Sequence, residues 1–328
     1  MSLNLKNNLR SKYKMDTPFK KELYDAFIKK GLAVSSVKLY LRSLEKLNED
    51  SPLKNLKFLK DPAVIVDKLK DYKQNTIRNY LIAVVSVLSL NKESKAGKKL
   101  YDAYTPLLMD KNKTLKAEEA TNTKSETQEK NWLTWDEVKQ SWGALKEKVD
   151  SFKSSKTITE AQYNTLLQFM ILSLYVLLPP RRNEYMKMMI VKTAPDSKET
   201  NYLDLDNNSF VFNVFKTSKK DGSMTIEIPA ELREIINIYL KFHPLIKGKI
   251  TKKFQPVSFL VYYDGSPFTQ NNSITRILNK VFGKKVSSSL LRHSYLSGKY
   301  GDTTDEQKKD AEMMSHSVSM QKDYIKRD

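Results

Sequence analysis

The amino-acid sequence predicts a mainly α-helical protein with a small antiparallel β-sheet, divided into two domains. Apolar residues recur at three- and four-residue spacing through the first third of the chain, which is typical of amphipathic helices. A polar segment follows, and it lacks large apolar side chains after Leu115. Short stretches with alternating or β-branched and aromatic residues occur between residues 201 and 229, before helical spacing returns. Since 328 residues suffice for about two domains, we expect a helical first domain and a second domain that holds the sheet.

The first domain is predicted to span residues 1–112 as a bundle of helices. Regularly spaced apolar residues mark two of them: Val37, Leu41, Leu44 and Leu47, then Ile77, Leu81, Val84 and Leu88. Asp61 followed by Pro62 predicts the start of another helix, because aspartate is a favoured N-cap and proline fits the first helical position. The opposite faces carry four basic residues: Lys38, Arg42, Lys73 and Arg78. Each alone is also typical of a solvated helix face, but together they predict a side that binds phosphates.

Residues 113–130 are predicted to be a polar linker, and residues 131–328 a second domain. Thr134 and Glu137 have capping-box spacing ahead of an amphipathic helix, and "YNTLLQFMILSLYVLL" predicts a core helix. Three strands are predicted in "NYLDLD", "SFVFNVF" and "MTIEIP", and the short turns between them favour antiparallel pairing. Further helices are predicted in "AELREIINIYLKF", "TQNNSITRILNKVFG", "SSSLLRHSYLSGKY" and "DEQKKDAEMMSHSVSMQKDYIKRD".

The charge of the chain predicts a polyanionic partner. The 57 lysines and arginines outnumber the 38 acidic residues, which gives a net charge of +19. The longest apolar run is too short to span a bilayer, and the basic N-terminus lacks the apolar core of a signal peptide. We therefore expect the charge to attract nucleic acid rather than a membrane. Because cysteine is absent, we expect an intracellular, reducing compartment, either cytoplasm or nucleus.

Familiar catalytic motifs are missing from the sequence. Nine glycines form no phosphate-binding loop, no histidines lie at metal-ligand spacing, and no nucleophile elbow occurs. We therefore expect neither a metal nor a cofactor. The polar residues that remain as candidates are Arg181, Arg182, Lys216, Arg292, His293, His316 and Tyr324.

Two of these positions allow a structural as well as a functional interpretation. In "LLPPRRNEYMKM" the arginines are predicted to begin a helix, where their charge opposes the helix dipole, which favours a phosphate-binding role. A salt bridge between Arg181 and Glu184 is the alternative. Lys216 is predicted on the hairpin after "SFVFNVF", close to Lys219 and Lys220. It is either a solvated lysine or a group that enters a DNA groove and approaches a phosphate.

The order of these residues resembles the tyrosine recombinases, the family of phage integrases and their relatives. In that family an Arg-x-x-Glu motif comes first, as in Arg181 and Glu184, and a hairpin lysine follows, as in Lys216. A box similar to "SLLRHSY" then carries the second arginine, here Arg292. The box "MSHS" with His316 resembles the next motif, and Tyr324 follows His316 by eight residues, near the spacing of the family's nucleophile. Arg182 fits less well than Arg181, because Tyr185 lies three residues after it.

One departure from the family pattern concerns Ser289. The family usually has histidine three residues before the second arginine, and serine can donate a hydrogen bond there but cannot exchange protons near neutral pH. Ser287, Ser288 and Ser289 could instead cap the helix that presents Arg292. His293 is expected to be a structural residue, because it points about 100° away from Arg292 around a helix.

The resemblance implies a DNA strand-cleaving enzyme with a helical core-binding domain and a tyrosine-recombinase catalytic domain. Tyr324 would attack phosphorus and form a 3′-phosphotyrosyl link, Arg181 and Arg292 would stabilise the transition state, and Lys216 would protonate the leaving 5′-oxygen. His316 would bind a phosphate oxygen or assist deprotonation of the tyrosine. The expected function is site-specific recombination or integration by a homo-oligomer, a tetramer on two duplexes. A type IB topoisomerase-like enzyme and a non-catalytic DNA-binding descendant are the alternatives.

Overall fold

The chain forms two compact units, residues 1–123 and 124–328, each with its own apolar core. A computed structural model describes residues 15–120, 124–246, 250 and 254–313. His316 and Tyr324 lie outside the described residues. Among the helices in this part of the chain, none is long and apolar enough to cross a membrane.

The first unit is a helical bundle whose core matches the predicted spacing. All eight apolar residues predicted in its two marked helices are buried. Asp61 is the N-cap of a helix, since its side chain accepts a hydrogen bond from the Ala63 N–H, and Pro62 is the first helical residue. The helices are α1 Pro18–Lys29, α2 Val34–Leu47, α3 Pro62–Leu69, α4 Gln74–Leu88 and α5 Lys95–Ala120, with a 3-10 turn at Lys57–Leu59.

Most of the segment predicted as a linker is helical. Helix α5 continues to Ala120, and α6 (Glu126–Asn131) begins at Ser125, whose side chain and that of Gln128 form a capping box. Leu115 is buried, so this stretch makes an apolar contact although most of its residues are polar. Lysine, glutamate and alanine also favour helix where packing does not decide. The division between the two units falls in the short break between these helices.

The second unit is built around one buried helix. In the C-terminal half of helix α8 (Glu160–Val176), residues on nearly all faces are buried. The sequence pattern had placed apolar residues on one side of this helix. The capping box predicted at Thr134 and Glu137 is confirmed at the start of α7. The remaining helices of this unit are α7 Trp135–Asp150, α9 Ser218–Asp221, α10 Ala230–Lys241, α11 Ser273–Phe282 and α12 Ser288–Met313.

The predicted small sheet is present, but it has five strands and is mixed rather than antiparallel throughout. Its strands are β1 Met189–Val191, β2 Tyr202–Asp204, β3 Ser209–Phe212, β4 Met224–Glu227 and β5 Val257–Ser258, in the order β4-β3-β2-β1-β5. The three predicted strands, β2 to β4, do pair antiparallel. Strand β1 pairs parallel with β2, because the connection 192–201 returns the chain to the same end of the sheet, and antiparallel with β5.

Helix α12 is continuous over Ser288–Met313, so the described part of the two helices predicted there forms one helix. Gly298 lies where α12 meets α7. A Cβ atom added at Gly298 would lie 2.9 Å from the Cβ of Trp135, and Tyr295 packs edge-on against the Trp135 ring with centroids 5.1 Å apart. Glycine therefore allows a close approach of the two helices at this point.

We expect Gly298→Ala to destabilise the protein, although alanine ordinarily favours a helix over glycine by about 1 kcal/mol. The added methyl group meets the rigid Cβ of Trp135, and overpacking of this kind costs roughly 1–3 kcal/mol. Gly301→Ala is the matched control, because no atom lies within 4 Å of a Cβ at this position of the same helix. Urea denaturation should show a lower free energy of unfolding for the first variant and a higher one for the second. Stabilisation by both substitutions would contradict the close contact.

The buried His243 joins the end of α10 to β5. Its Nε2 lies 3.1 Å from the Ser258 carbonyl and 3.2 Å from the Phe259 carbonyl, and its Nδ1 accepts a hydrogen bond from the Leu245 N–H. These partners fit the neutral ring with its proton on Nε2. Burial lowers the pKa of His243 below its ordinary value of about 6.5.

The lowered pKa of His243 predicts a loss of stability in mild acid. The unfolded chain takes up this proton at a pH near 6.5, before the folded protein does, so the contribution is present above that pH and declines below it. Between pH 7.5 and 5.5 the free energy of unfolding of the wild type should fall more steeply than that of His243→Gln, by at most about 1.4 kcal/mol per pH unit. Identical pH profiles for the two proteins in urea denaturation would contradict this expectation.

Candidate active site

Arg181 and Arg182 do not begin an α-helix. Pro179 and Pro180 follow α8, and the two arginines precede a single 3-10 turn, Asn183–Tyr185, which leads directly into β1. The predicted helix is absent because the chain must enter the sheet only a few residues after the prolines. Arg181 is largely buried, whereas Arg182 is exposed.

The Arg181 guanidinium group is held in one orientation by its surroundings. Its Nε donates a hydrogen bond of 2.8 Å to Oε2 of Glu184, and the side chains of both residues are at most 16% exposed. The guanidinium carbon lies 4.0 Å from the ring centroid of Phe212, and Nη1 lies 3.3 Å from Sδ of Met224. The predicted salt bridge is thus present, but it uses only Nε. Nη1 also donates a hydrogen bond to the Met224 sulfur, a weak acceptor, and the other N–H groups of Nη1 and Nη2 form no hydrogen bond with a described residue. Two such N–H groups match two oxygens of a phosphate.

The loop that carries Lys216 stands next to Arg181. Phe212 ends β3 and Met224 begins β4, so both ends of the connection contact the guanidinium group. Phe215, the residue before Lys216, has its ring centroid 5.5 Å from the guanidinium carbon. The connection is more than a simple hairpin turn, since it contains the one-turn helix α9 with Lys219 and Lys220. All three lysines of the loop are exposed.

Asn201 connects this loop to the 3-10 turn. Its Nδ2 donates hydrogen bonds to the carbonyls of Glu184 and Val214, at 2.9 and 3.1 Å. Its Oδ1 accepts from the N–H groups of Asn213 and Val214, at 2.8 and 2.7 Å. The segment of Arg181 and the segment of Lys216 are therefore joined through one side chain.

Asn183 connects the same 3-10 turn to α12. Its Oδ1 accepts a hydrogen bond of 3.0 Å from the Ser288 hydroxyl, and its Nδ2 donates to the Asn271 carbonyl at 2.9 Å. Arg292 lies one helical turn after Ser288, so both side chains lie on one face of α12. Because helical side chains lean towards the N-terminus, Arg292 extends towards the turn that contacts Asn183. Arg292 is half-buried, and no hydrogen bond or ion pair joins it to any described residue.

Ser287, and not Ser289, caps α12. The Ser287 hydroxyl accepts a hydrogen bond of 3.2 Å from the Leu290 N–H. Ser289 is exposed in the first turn of the helix, three residues before Arg292, and is thus a neighbour of that arginine on the helix surface. His293 is exposed on another face, and the buried Ser294 donates to the Leu290 carbonyl.

Several tyrosines are removed as candidate nucleophiles by their burial. Burial raises the pKa of Tyr163, Tyr175 and Tyr185 far above the ordinary value, and that of Tyr239 to about 12. The Tyr175 hydroxyl donates to the Arg182 carbonyl at 3.3 Å and so fixes the backbone beside Arg181. A buried, neutral hydroxyl can neither reach DNA nor attack it.

The predicted basic residues of the first unit lie on neighbouring elements. Lys38 and Arg42 lie one turn apart on α2, Lys73 is the residue before α4, and Arg78 lies in the second turn of α4. Arg42 forms an ion pair of 3.1 Å with Asp50, and Arg78 donates to the Asn112 side chain. Arg42 and Arg78 are therefore bound by other residues of the first unit.

The described residues thus bring together three of the predicted catalytic positions through their segments. Arg181, Lys216 and Arg292 come from a turn, a loop and a helix that are linked by Asn183 and Asn201. Those two asparagines were missed, because an asparagine in a polar segment gives no local signal. In the described part of the chain, no cluster of histidine and acidic residues could hold a metal ion. His316 and Tyr324 fall outside this part.

Comparison with protein-family models, with curated proteins and with solved structures found no match.

Proposed function

We propose that this chain is a site-specific DNA recombinase or integrase that cleaves and rejoins strands through a 3′-phosphotyrosyl intermediate. The observation that carries the proposal is the convergence of the Arg181 turn, the Lys216 loop and the Arg292 helix. Hydrogen bonds of Asn201 and Asn183 join the segments that carry these three residues, which lie up to 111 positions apart in the sequence and occur in the motif order of tyrosine recombinases. The net charge of +19 gives further support for a DNA substrate.

Each proposed role follows from the chemistry of phosphodiester cleavage. The oxygen of Tyr324 attacks phosphorus, the bond from phosphorus to the 5′-oxygen breaks, and Lys216 supplies the proton that the leaving oxygen takes up. The tyrosine proton leaves during the attack, and His316 is its candidate acceptor. Arg181 and Arg292 neutralise the charge that develops on the non-bridging oxygens. Attack by the 5′-hydroxyl on the phosphotyrosyl link reverses these steps and reseals a strand.

The rest of the molecule fits this proposal as follows. The first unit serves as the core-binding domain, and the second unit serves as the tyrosine-recombinase catalytic domain. Lys219 and Lys220, exposed beside Lys216, contact the DNA backbone. Ser289 occupies the position of the usual histidine and lies beside Arg292, where its hydroxyl donates to a phosphate oxygen. Four copies of the chain act together on two DNA duplexes inside the cell.

Covalent capture on nicked DNA tests the proposal. A nick next to the cleaved phosphate lets a short strand diffuse away, so the phosphotyrosyl protein accumulates. We expect the wild type to form an adduct, resistant to denaturant, with members of a pool of nicked random-sequence duplexes, and sequencing of the captured DNA gives the target. Tyr324→Phe should form none while retaining DNA affinity, because only one hydroxyl is removed.

Three results would separate the alternatives. No adduct with any member of the pool would contradict an enzymatic function and favour a DNA-binding descendant. Adducts at wild-type levels in Tyr324→Phe would place the nucleophile at another tyrosine. Cleavage and resealing of one duplex, without exchange between two duplexes that carry the captured target, would identify a topoisomerase-like enzyme.

A further inference from the structure

We infer that Asn201 is a positioning residue that fixes the proton donor Lys216 relative to the phosphate clamp Arg181. This inference rests on the proposed function. Asn201 is 5% exposed, and its side-chain amide makes four hydrogen bonds to the backbone of two other segments. An amide group can donate two hydrogen bonds and accept two, so its capacity is fully used.

The position of Asn201 itself is set by the sheet. Its carbonyl accepts a hydrogen bond of 2.9 Å from the N–H of Met189, the first residue of β1. It directly precedes β2, at the end of the sheet where β3 leaves the ladder. The side chain of Asn213 donates to the Thr200 carbonyl at 2.9 Å, which adds a second link between the same two segments. Asn201 is therefore a fixed point from which the loop is held.

The loop needs such a fixed point because its backbone leaves the sheet after Phe212. Asn213 and Val214 do not pair with β4. The Asn201 side chain instead accepts hydrogen bonds from both of their N–H groups and donates one to the Val214 carbonyl. Lys216 follows Val214 by two residues. A general acid must lie within about 2.6–3.2 Å of the oxygen that it protonates. Small displacements of the backbone at Val214 would therefore change proton transfer.

The Asn201 side chain also binds Glu184, the residue that orients Arg181. The Glu184 carboxylate holds Nε of Arg181, while the Glu184 carbonyl accepts the other proton of the Asn201 amide. One neutral side chain thus sets the spacing between the clamp and the proton donor. Because the amide carries no charge, it leaves the cationic groups available for phosphate.

A substrate with sulfur in place of the 5′-bridging oxygen separates this role from a general effect on stability. An alkoxide is a poor leaving group without a proton, whereas a thiol has a pKa near 8.5 and leaves as the thiolate. A defect in proton donation should therefore disappear on the sulfur substrate. A defect in phosphate clamping should persist, because the non-bridging oxygens are unchanged.

The experiment measures adduct formation with the captured duplex, made with either oxygen or sulfur at the cleaved position. We expect Asn201→Ala to slow cleavage of the oxygen substrate on the order of 10²-fold, as for a displaced catalytic group, and to approach the wild-type rate on the sulfur substrate. Lys216→Ala should behave in the same way, and Arg292→Ala should be slow on both. Asn208→Ala is the matched control. It removes a side-chain hydrogen bond to the Ile228 carbonyl at the opposite end of the β3–β4 pair, so its ratio of the two rates should match the wild type.

Asn201→Asp provides a second variant if Asn201→Ala does not fold. It keeps the oxygen that accepts hydrogen bonds from the Asn213 and Val214 N–H groups but places a second oxygen against the Glu184 and Val214 carbonyls, so the same rescue by sulfur is expected. An equal defect on both substrates, or no defect on either, would overturn the role of Asn201 while leaving the proposed function intact. Absence of any adduct with the wild-type protein would instead overturn the proposed function, and this inference with it.

Discussion

Hydrogen bonds from two neutral asparagine side chains hold the turn of Arg181 between the sheet and α12. Asn201 ties this turn to the β3–β4 loop, and Asn183 ties it to the first turn of α12. Backbone hydrogen bonds within a strand or a helix cannot make these connections, because α8 ends at Val176 and β3 ends at Phe212. The spatial relation of the three cationic segments therefore depends on side-chain amides. Removal of the Asn201 amide would leave two N–H groups and two carbonyls of the backbone without this partner, and removal of the Asn183 amide would do the same to the Ser288 hydroxyl and the Asn271 carbonyl.

The use of uncharged links has an electrostatic consequence. Positive groups brought close together repel one another, and an acidic residue at each junction would relieve the repulsion but also cancel the field that attracts a phosphate. Glu184 is the exception, and it binds Nε of Arg181 rather than either Nη atom. The stacking of the guanidinium group on Phe212 restricts it further without reducing its charge. Arg181 is thereby held in one orientation without a ligand, which in the proposed reaction reduces the cost of ordering this side chain.

The features of the fold and of the site that could be predicted from the sequence are those that depend on residues close together in the chain. Local patterns were sufficient for the cores of α2 and α4, for the Asp61 cap and for strands β2 to β4, because periodicity and capping act over a few residues. Strand β1 escaped prediction, since it has only three residues, all apolar, and therefore shows no alternation of apolar and polar residues. The close approach of α12 to α7 depends on Gly298, whose role is visible only beside Trp135, a residue distant in the sequence. Arg181 and Arg292 were found from their motif order, whereas Asn183 and Asn201 act through contacts between remote segments.

Arg181 and Arg292 are proposed to neutralise one phosphate, and a change in the charge of that phosphate is the sharpest test of this role. In a captured duplex whose cleaved phosphate carries a methyl group in place of one non-bridging oxygen, the reacting group is neutral and needs less positive charge. On ordinary DNA, Arg181→Ala and Arg292→Ala should each slow adduct formation by about 10²-fold or more, and the exposed Arg182→Ala should have a much smaller effect. On the methylated duplex both variants should form adducts at rates much closer to that of the wild type. Defects of the same size on the two duplexes would contradict this role.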